Sequence, residues 1–231
     1  MSGAGAALRG SLVVFAKRPE PGRVKTRLCP PLTDQQAAEL YAEMLGDVLA
    51  ATAAFCAELG LAAVLSVDPP EACIAMAAAA PPAFRIVPQR GAGLSERMAH
   101  AVDVEWAAGA GAVLLRGSDS PALDLATVRA GLEGLATHDL VLCPDLDGGY
   151  GLVALARPAP GLFDHAMSTD RVLDDTLARA RRLGLRVQRL EPRFDIDTAA
   201  DLERLRAQRG PALERGCPRT LAYLDAQALW P

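Results

Sequence analysis

The feature that most constrains this chain is its alternation. Short apolar runs of strand length recur along it, and stretches with helical periodicity separate them. Residues 11–16, 61–67, 83–88, 112–116, 140–143, 152–155 and 185–190 read as strands. Residues 34–59 read as a long helix. Thr33 is its N-cap, Gln36 closes a capping box, Gly60 stops it, and Leu40, Met44, Leu45 and Val48 lie on its apolar face. Further helices are predicted from Asp68-Pro69-Pro70 and over 94–108, 124–136, 169–183 and 198–209. Strands that alternate with helices in this way fold as an α/β domain, with a mostly parallel sheet and helices on both faces. No linker divides the 231 residues, so the expectation is one domain over 1–231, with a core at 11–209 and a less regular tail at 210–231 packed on it. The chain is 51% apolar, enough for a core, and 4% aromatic, so that core is mostly Ala, Leu and Val.

The first strand runs into F-A-K-R-P-E-P-G-R-V-K-T-R-L, residues 15–28. Lys17, Arg18, Arg23, Lys25 and Arg27 are packed into one loop broken by Pro19, Pro21 and Gly22. Of 24 basic residues only Lys17 and Lys25 are lysine, and lysine is the compact, mobile point charge of the two types. The loop lies just past the carboxyl end of a strand, where open α/β sheets bind ligands, and such loops can line a phosphate with backbone N–H groups. The alternative is a solvated basic loop. The formal net charge of -4 argues against nucleic-acid binding and directs the cationic loop to a small anionic ligand.

Four other stretches can carry chemistry. Asp119 in G-S-D-S-P follows a strand directly; it can hold Mg²⁺ against a phosphate or form an Asx turn before the next helix. Asp195 and Asp197 in F-D-I-D-T fall on one side of an extended segment, and one of them can instead serve a helix N-terminus. Asp147-Gly148-Gly149-Tyr150 is a hairpin turn, a place of close backbone approach to a ligand with Tyr150 as a wall, or both. Gln89-Arg90-Gly91-Ala92-Gly93 can offer backbone groups to a nucleobase, with Gln89, Gly91 and Gly93 the candidate contacts, but lacks the spacing of a dinucleotide fingerprint.

The five cysteines are odd in number and none is spaced C-x-x-C, which points to reduced thiols and a cytoplasmic protein. The three histidines form no metal motif. Residues 1–11 lack the apolar core of a signal peptide, and no apolar run is read as long enough to span a bilayer.

Taken together, these motifs resemble the GT-A-like nucleotide-diphospho-sugar transferase superfamily. More closely the chain is similar to a bacterial family of GT-A-type transferases, one branch of which is associated with arsenosugar biosynthesis. The similarity covers about residues 11–206 and rests on the loop at 15–28, G-S-D-S-P, D-G-G-Y, S-T-D-R-V-L from Ser168, and F-D-I-D-T-A-A-D-L. The first also resembles a segment of deazaflavin-cofactor guanylyltransferases, and the last resembles molybdopterin and sugar-acid nucleotidyltransferases. The resemblance implies that Lys17 and Lys25 hold nucleotide phosphates and act in catalysis with Asp119. It implies Mg²⁺ (or Mn²⁺) on Asp119 and Asp197, with Asp195 farther out, and an acceptor near Asp147, Tyr150, Ser168 and Thr169. Gly151 and Met167 depart from it, standing where related sequences often carry an aromatic residue. Expected partners are a nucleoside triphosphate or a nucleotide sugar, and a small phosphate- or carboxylate-bearing acceptor. The same fold hosts nucleotidyl transfer, glycosyl transfer and regulators that bind nucleotides without turnover.

Overall fold

The computed structural model describes residues 10–231; the leader reading for residues 1–9 lies outside it. Seven strands form one sheet in the order β3-β2-β1-β4-β6-β5-β7. They are β1 (Gly10–Lys17), β2 (Leu61–Asp68), β3 (Phe84–Pro88), β4 (Val113–Gly117), β5 (Leu140–Pro144), β6 (Tyr150–Leu155) and β7 (Val187–Arg189). β6 alone runs antiparallel, between β4 and β5, because the turn at 145–149 folds it straight back on β5. The D-G signal therefore does make a hairpin.

Side chains alternate across the sheet, so each strand feeds two cores. Leu12, Val14 and Leu114 point to one face, covered by α1 (Asp34–Leu59), α2 (Cys73–Ala79) and α4 (Leu125–Gly134). Val13, Val113 and Leu115 point to the other, covered by α3 (Leu94–Ala107) and α5 (Val172–Arg182). α1 keeps its predicted ends: the Thr33–Gln36 capping box is formed and Gly60 is left-handed at φ 68.

Three expectations need correction. First, α1 is long and apolar enough to cross a membrane by length and composition. Here it is a core helix, half of that stretch is buried, and it carries the buried Asp47. Second, the helix predicted from residue 169 starts at Val172. Third, the tail is helical. After α6 (Ala199–Ala207) come α7 (Pro211–Gly216) and α8 (Pro218–Ala226). Asp47 accepts hydrogen bonds from the Thr220 N–H at 2.8 Å and hydroxyl at 2.7 Å, pinning α8 to α1. Leu221 and Leu224 join Leu28, Leu40, Met44 and Ile196 in a third core behind the cationic loop.

Candidate active site

A cleft of about 1060 Å³ opens at the carboxyl edge of the sheet. It lies where β1 borders both β2 and β4, the point at which strand order reverses and such sheets bind ligands. One bank is formed by the ends of β3, β2 and β1, the other by the edge of β4, β6 and β5.

The first bank is cationic. Lys17, Arg23 and Arg27 are exposed and line the cleft. Arg97, which the sequence reading missed, joins them from α3 and pairs with Asp68 at 2.8 Å. Not every predicted residue faces in. Arg18 pairs with Glu20 at 2.6 Å and does not line the cleft. Gly22 and Gly91 are turn residues at φ 72 and φ 134, also outside the lining. Gly93 lines it with open space at its Cα. Gln89 is buried, and its amide donates to the Ser66 carbonyl at 2.9 Å and the Ala16 carbonyl at 3.3 Å. Its N–H is bonded to the Val67 carbonyl, so Gln89 braces β1 and β2 instead of offering its backbone to a base.

Lys25 overturns the expectation of an exposed phosphate lysine. Its backbone is left-handed at φ 50, a region that non-glycine residues seldom occupy. That bend turns the side chain inward until it is only 3% exposed. Nζ lies 2.5 Å from Asp119 Oδ1 and 2.7 Å from Asp197 Oδ1. Burial pulls its pKa down, but the Coulombic attraction of Asp119 and then Asp197 outweighs this and holds it well above 10.5. Asp119 and Asp197 thus converge as expected, and the cation they share in this structure is the Lys25 ammonium.

Neither aspartate is spent on a helix cap. Asp124 caps α4, accepting from Thr127 N–H at 2.8 Å. Asp201 caps α6, accepting from Thr198 N–H at 2.8 Å and Asp197 N–H at 3.2 Å. The loop bearing Asp119 is strapped from below: the Tyr41 hydroxyl lies 2.8 Å from Ser118 Oγ and accepts from Lys17 N–H at 3.0 Å. Arg116, fully buried, donates to the Ser120 carbonyl at 2.9 Å. Ile196 N–H donates to the Asp119 carbonyl at 2.9 Å and sets the F-D-I-D segment across the strand ends.

The second bank is acidic. Ligand oxygens of Asp145, Asp147 and Asp195 lie within 4.8 Å of one another, a group able to hold a metal ion among the described residues. Asp145 was missed by the sequence reading, although Asp145-Leu146-Asp147 repeats the D-x-D spacing of Asp195-Ile196-Asp197. Its Oδ1 is buried without a hydrogen-bond partner. Burial, then the charges of Asp195 and Asp147, push its pKa up to about 8. Burial and then Asp197 push Asp195 to about 7. Gly151 explains its departure from the resemblance: a Cβ there would lie 3.0 Å from Asp145 Oδ1 and 3.2 Å from Ser120 Oγ. Asp147 also accepts from Gly149 N–H at 2.9 Å, so it shapes the turn while facing the cleft. Gly148, at φ 93, backs the turn onto Asp170 and lies outside the lining. Tyr150, Met167, Ser168 and Thr169 complete the wall, Ser168 in a left-handed conformation at φ 61.

This sheet order, with a cleft at the switch point and carboxylates on strand ends, defines a nucleotide-diphospho-sugar transferase type of α/β fold. The chain belongs to the family described as "Uncharacterized protein conserved in bacteria (DUF2064)", which matches residues 50–169. It is similar to a candidate nucleotide-diphospho-sugar transferase from Desulfovibrio desulfuricans G20, with 30% identity, a TM-score of 0.85 and 96% of each chain covered. It shares its fold with a cytidylyltransferase from Leptospira borgpetersenii serovar Hardjo-bovis (strain JB197), with 10% identity, a TM-score of 0.59 and 96% of each chain covered. It likewise shares its fold with Rv0371c from Mycobacterium tuberculosis H37Rv, with 20% identity, a TM-score of 0.55, and 87% of this chain and 100% of that chain covered. A second structure of that protein is a complex with manganese, at 19% identity, a TM-score of 0.50, and 87% and 98% coverage. No curated protein matches the chain.

Proposed function

We propose that this protein is a nucleotide-using transferase that moves a nucleotidyl group from a nucleoside triphosphate to a small acceptor. The observation that carries this reading is the division of the cleft into a cationic bank and a carboxylate bank at the switch point of the sheet. Lys17, Arg23 and Arg27 line the cleft and would neutralise a polyphosphate, which demands more positive charge than a diphosphate. Lys25 is a positioning residue on this reading. It holds Asp119 and Asp197 in register and leaves Asp119, 45% exposed on its side chain, open to the cleft.

The residues present fit a hard divalent cation. The donor set is all carboxylate oxygen, and the orphaned Asp145 Oδ1 is an acceptor that awaits a partner. Asp145, Asp147 and Asp195 would hold Mg²⁺ or Mn²⁺, with Asp119 and Asp197 beside them. When bound, such an ion supplies positive charge to phosphate oxygens and to the leaving group. The reduced cysteines suit a cytoplasmic setting: all five are unpaired.

Glycosyl transfer is the second reading, favoured by the description of the Desulfovibrio protein as a nucleotide-diphospho-sugar transferase. One experiment separates the two. Ribonucleoside triphosphates and nucleotide sugars are screened by thermal shift with Mg²⁺ or Mn²⁺, and the binders are assayed against an acceptor panel. Pyrophosphate release is the expected product. Nucleoside diphosphate release establishes the glycosyl reading, and binding without turnover over the whole panel makes the protein a regulator.

A further inference from the structure

The carboxylate bank of the cleft, the side left for an acceptor if the phosphates lie on the cationic bank, has a composition unsuited to an anion. Six carboxylates line this bank, those of Asp119, Asp145, Asp147, Asp170, Asp195 and Asp197. Two cations stand on this side among the described residues: the Lys25 ammonium is already shared by two of the six, and the buried Arg116 donates to Thr52 Oγ1 at 3.1 Å and the Ser120 carbonyl at 2.9 Å. Arg27 reaches only Asp197, from the other bank, at 3.5 Å. Arg97 is committed to Asp68 at 2.8 Å. Arg171 and Arg193, though near in sequence to the lining, are not part of it, and Arg193 instead donates to Thr127 Oγ1 at 3.0 Å. The first turn of α5 borders the cleft through Val172, but it carries Asp174 and Asp175 and its Leu173 N–H is taken by the Gly148 carbonyl at 2.9 Å.

With a divalent ion bound these carboxylates are ionised and only accept hydrogen bonds, so this bank asks for a ligand rich in donors. Ser168 and Thr169 add hydroxyls, and Leu94 and Met167 add apolar surface to the lining. A phosphate or carboxylate placed here would find no free cation and would face like charge even beside one divalent ion.

Resting on the transferase reading above, we infer that the acceptor is an uncharged or amine-bearing polyhydroxyl compound, not the phosphate- or carboxylate-bearing molecule expected from the sequence. In the transfer, a hydroxyl oxygen of the acceptor forms a bond to the α-phosphorus. The bond from that phosphorus to its bridging oxygen breaks, pyrophosphate leaves with the electron pair, and the hydroxyl proton goes to solvent water.

The test uses the full chain with Mn²⁺ and four probes on one skeleton: methyl glucoside, glucosamine, glucuronate and glucose 6-phosphate. Binding is measured by saturation-transfer NMR with and without a nucleoside triphosphate analogue that cannot be cleaved between the α- and β-phosphates. The expected result is that the neutral and amine probes bind at least about tenfold more tightly than the two anions. Asp170→Lys should narrow that gap by raising the affinity of the anions. Anions that bind as well as the others, or failure of all four probes to bind, would overturn the inference. Absence of nucleotide binding with the probe order intact counts against the transferase reading alone.

Discussion

The two banks of the cleft differ in how their charge is carried. On the β1 side Lys17, Arg23 and Arg27 are exposed, and water keeps them apart at little cost to the fold. On the β4–β6–β5 side Asp119, Asp145, Asp195 and Asp197 are half-buried and crowded, and two of them hold their protons toward neutral pH. The first bank is a field waiting for a ligand. The second stores repulsion that a ligand or cation relieves. Lys25 is the single residue that leaves the first bank to be buried in the second.

The sharpest way to break this contrast is to exchange that residue. Lys25→Met leaves Asp119 and Asp197 facing each other without a counter-charge. Breaking a buried ion pair costs several kcal/mol, and since both carboxylates are partly exposed the expected loss is about 2–4 kcal/mol in urea unfolding. Unchanged stability would mean that Lys25 belongs functionally with the exposed cations. Lys17→Ala should behave in the opposite manner. Nucleotide binding is expected to weaken by roughly 1.5–3 kcal/mol, or about 10- to 150-fold, by calorimetric titration. Its folding stability should stay within about 0.5 kcal/mol, and a larger loss would show a structural role on the cationic side too.

A smaller effect is expected from pH. Asp145 and Asp195 have folded-state pKa values raised to about 8 and about 7. Below the unfolded carboxylate range both states hold these protons, and the two residues contribute no pH slope. As pH rises from there to about 8, the unfolded chain releases protons that the folded chain keeps, so the metal-free protein loses stability across that window. Asp145→Asn should flatten the slope and leave the metal-free protein roughly 1–2 kcal/mol more stable at pH 8, after discounting for solvent screening. Mn²⁺ should restore the wild type at pH 8 and do little for the variant. A pH-independent wild type would remove the stored repulsion from the comparison. The smallest change belongs to Arg18→Ala. Its guanidinium turns to Glu20 outside the cleft, so stability within about 0.5 kcal/mol and nucleotide affinity within about threefold are expected. A larger drop in affinity would extend the cationic bank to Arg18.

Much of this molecule is written locally. The strands are continuous apolar runs because both their faces are buried, and α1 declares its ends through Thr33, Gln36 and Gly60. The convergence of Asp119 and Asp197 was legible because each follows or crosses a strand end at one edge. What escaped was set by distant partners. A loop with five cations reads as solvated, and nothing near Lys25 announces that an aspartate 172 positions later will bury it. Asp145 was hidden by the strength of the turn signal that follows it. The helices after residue 210 were hidden because α7 has only 6 residues and α8 is capped by Asp47 of α1, not by its own neighbours.

That last cap bears on the order in which the protein is made. Every residue lining the cleft has left the ribosome once Asp197 has. The wall behind Lys25 and Ile196 is still missing then, because Leu221 and Leu224 supply part of it. A chain interrupted between those points would carry the whole chemical inventory of the site without the apolar backing that seats it. That apolar backing is complete only once α8 has been made and has docked on α1.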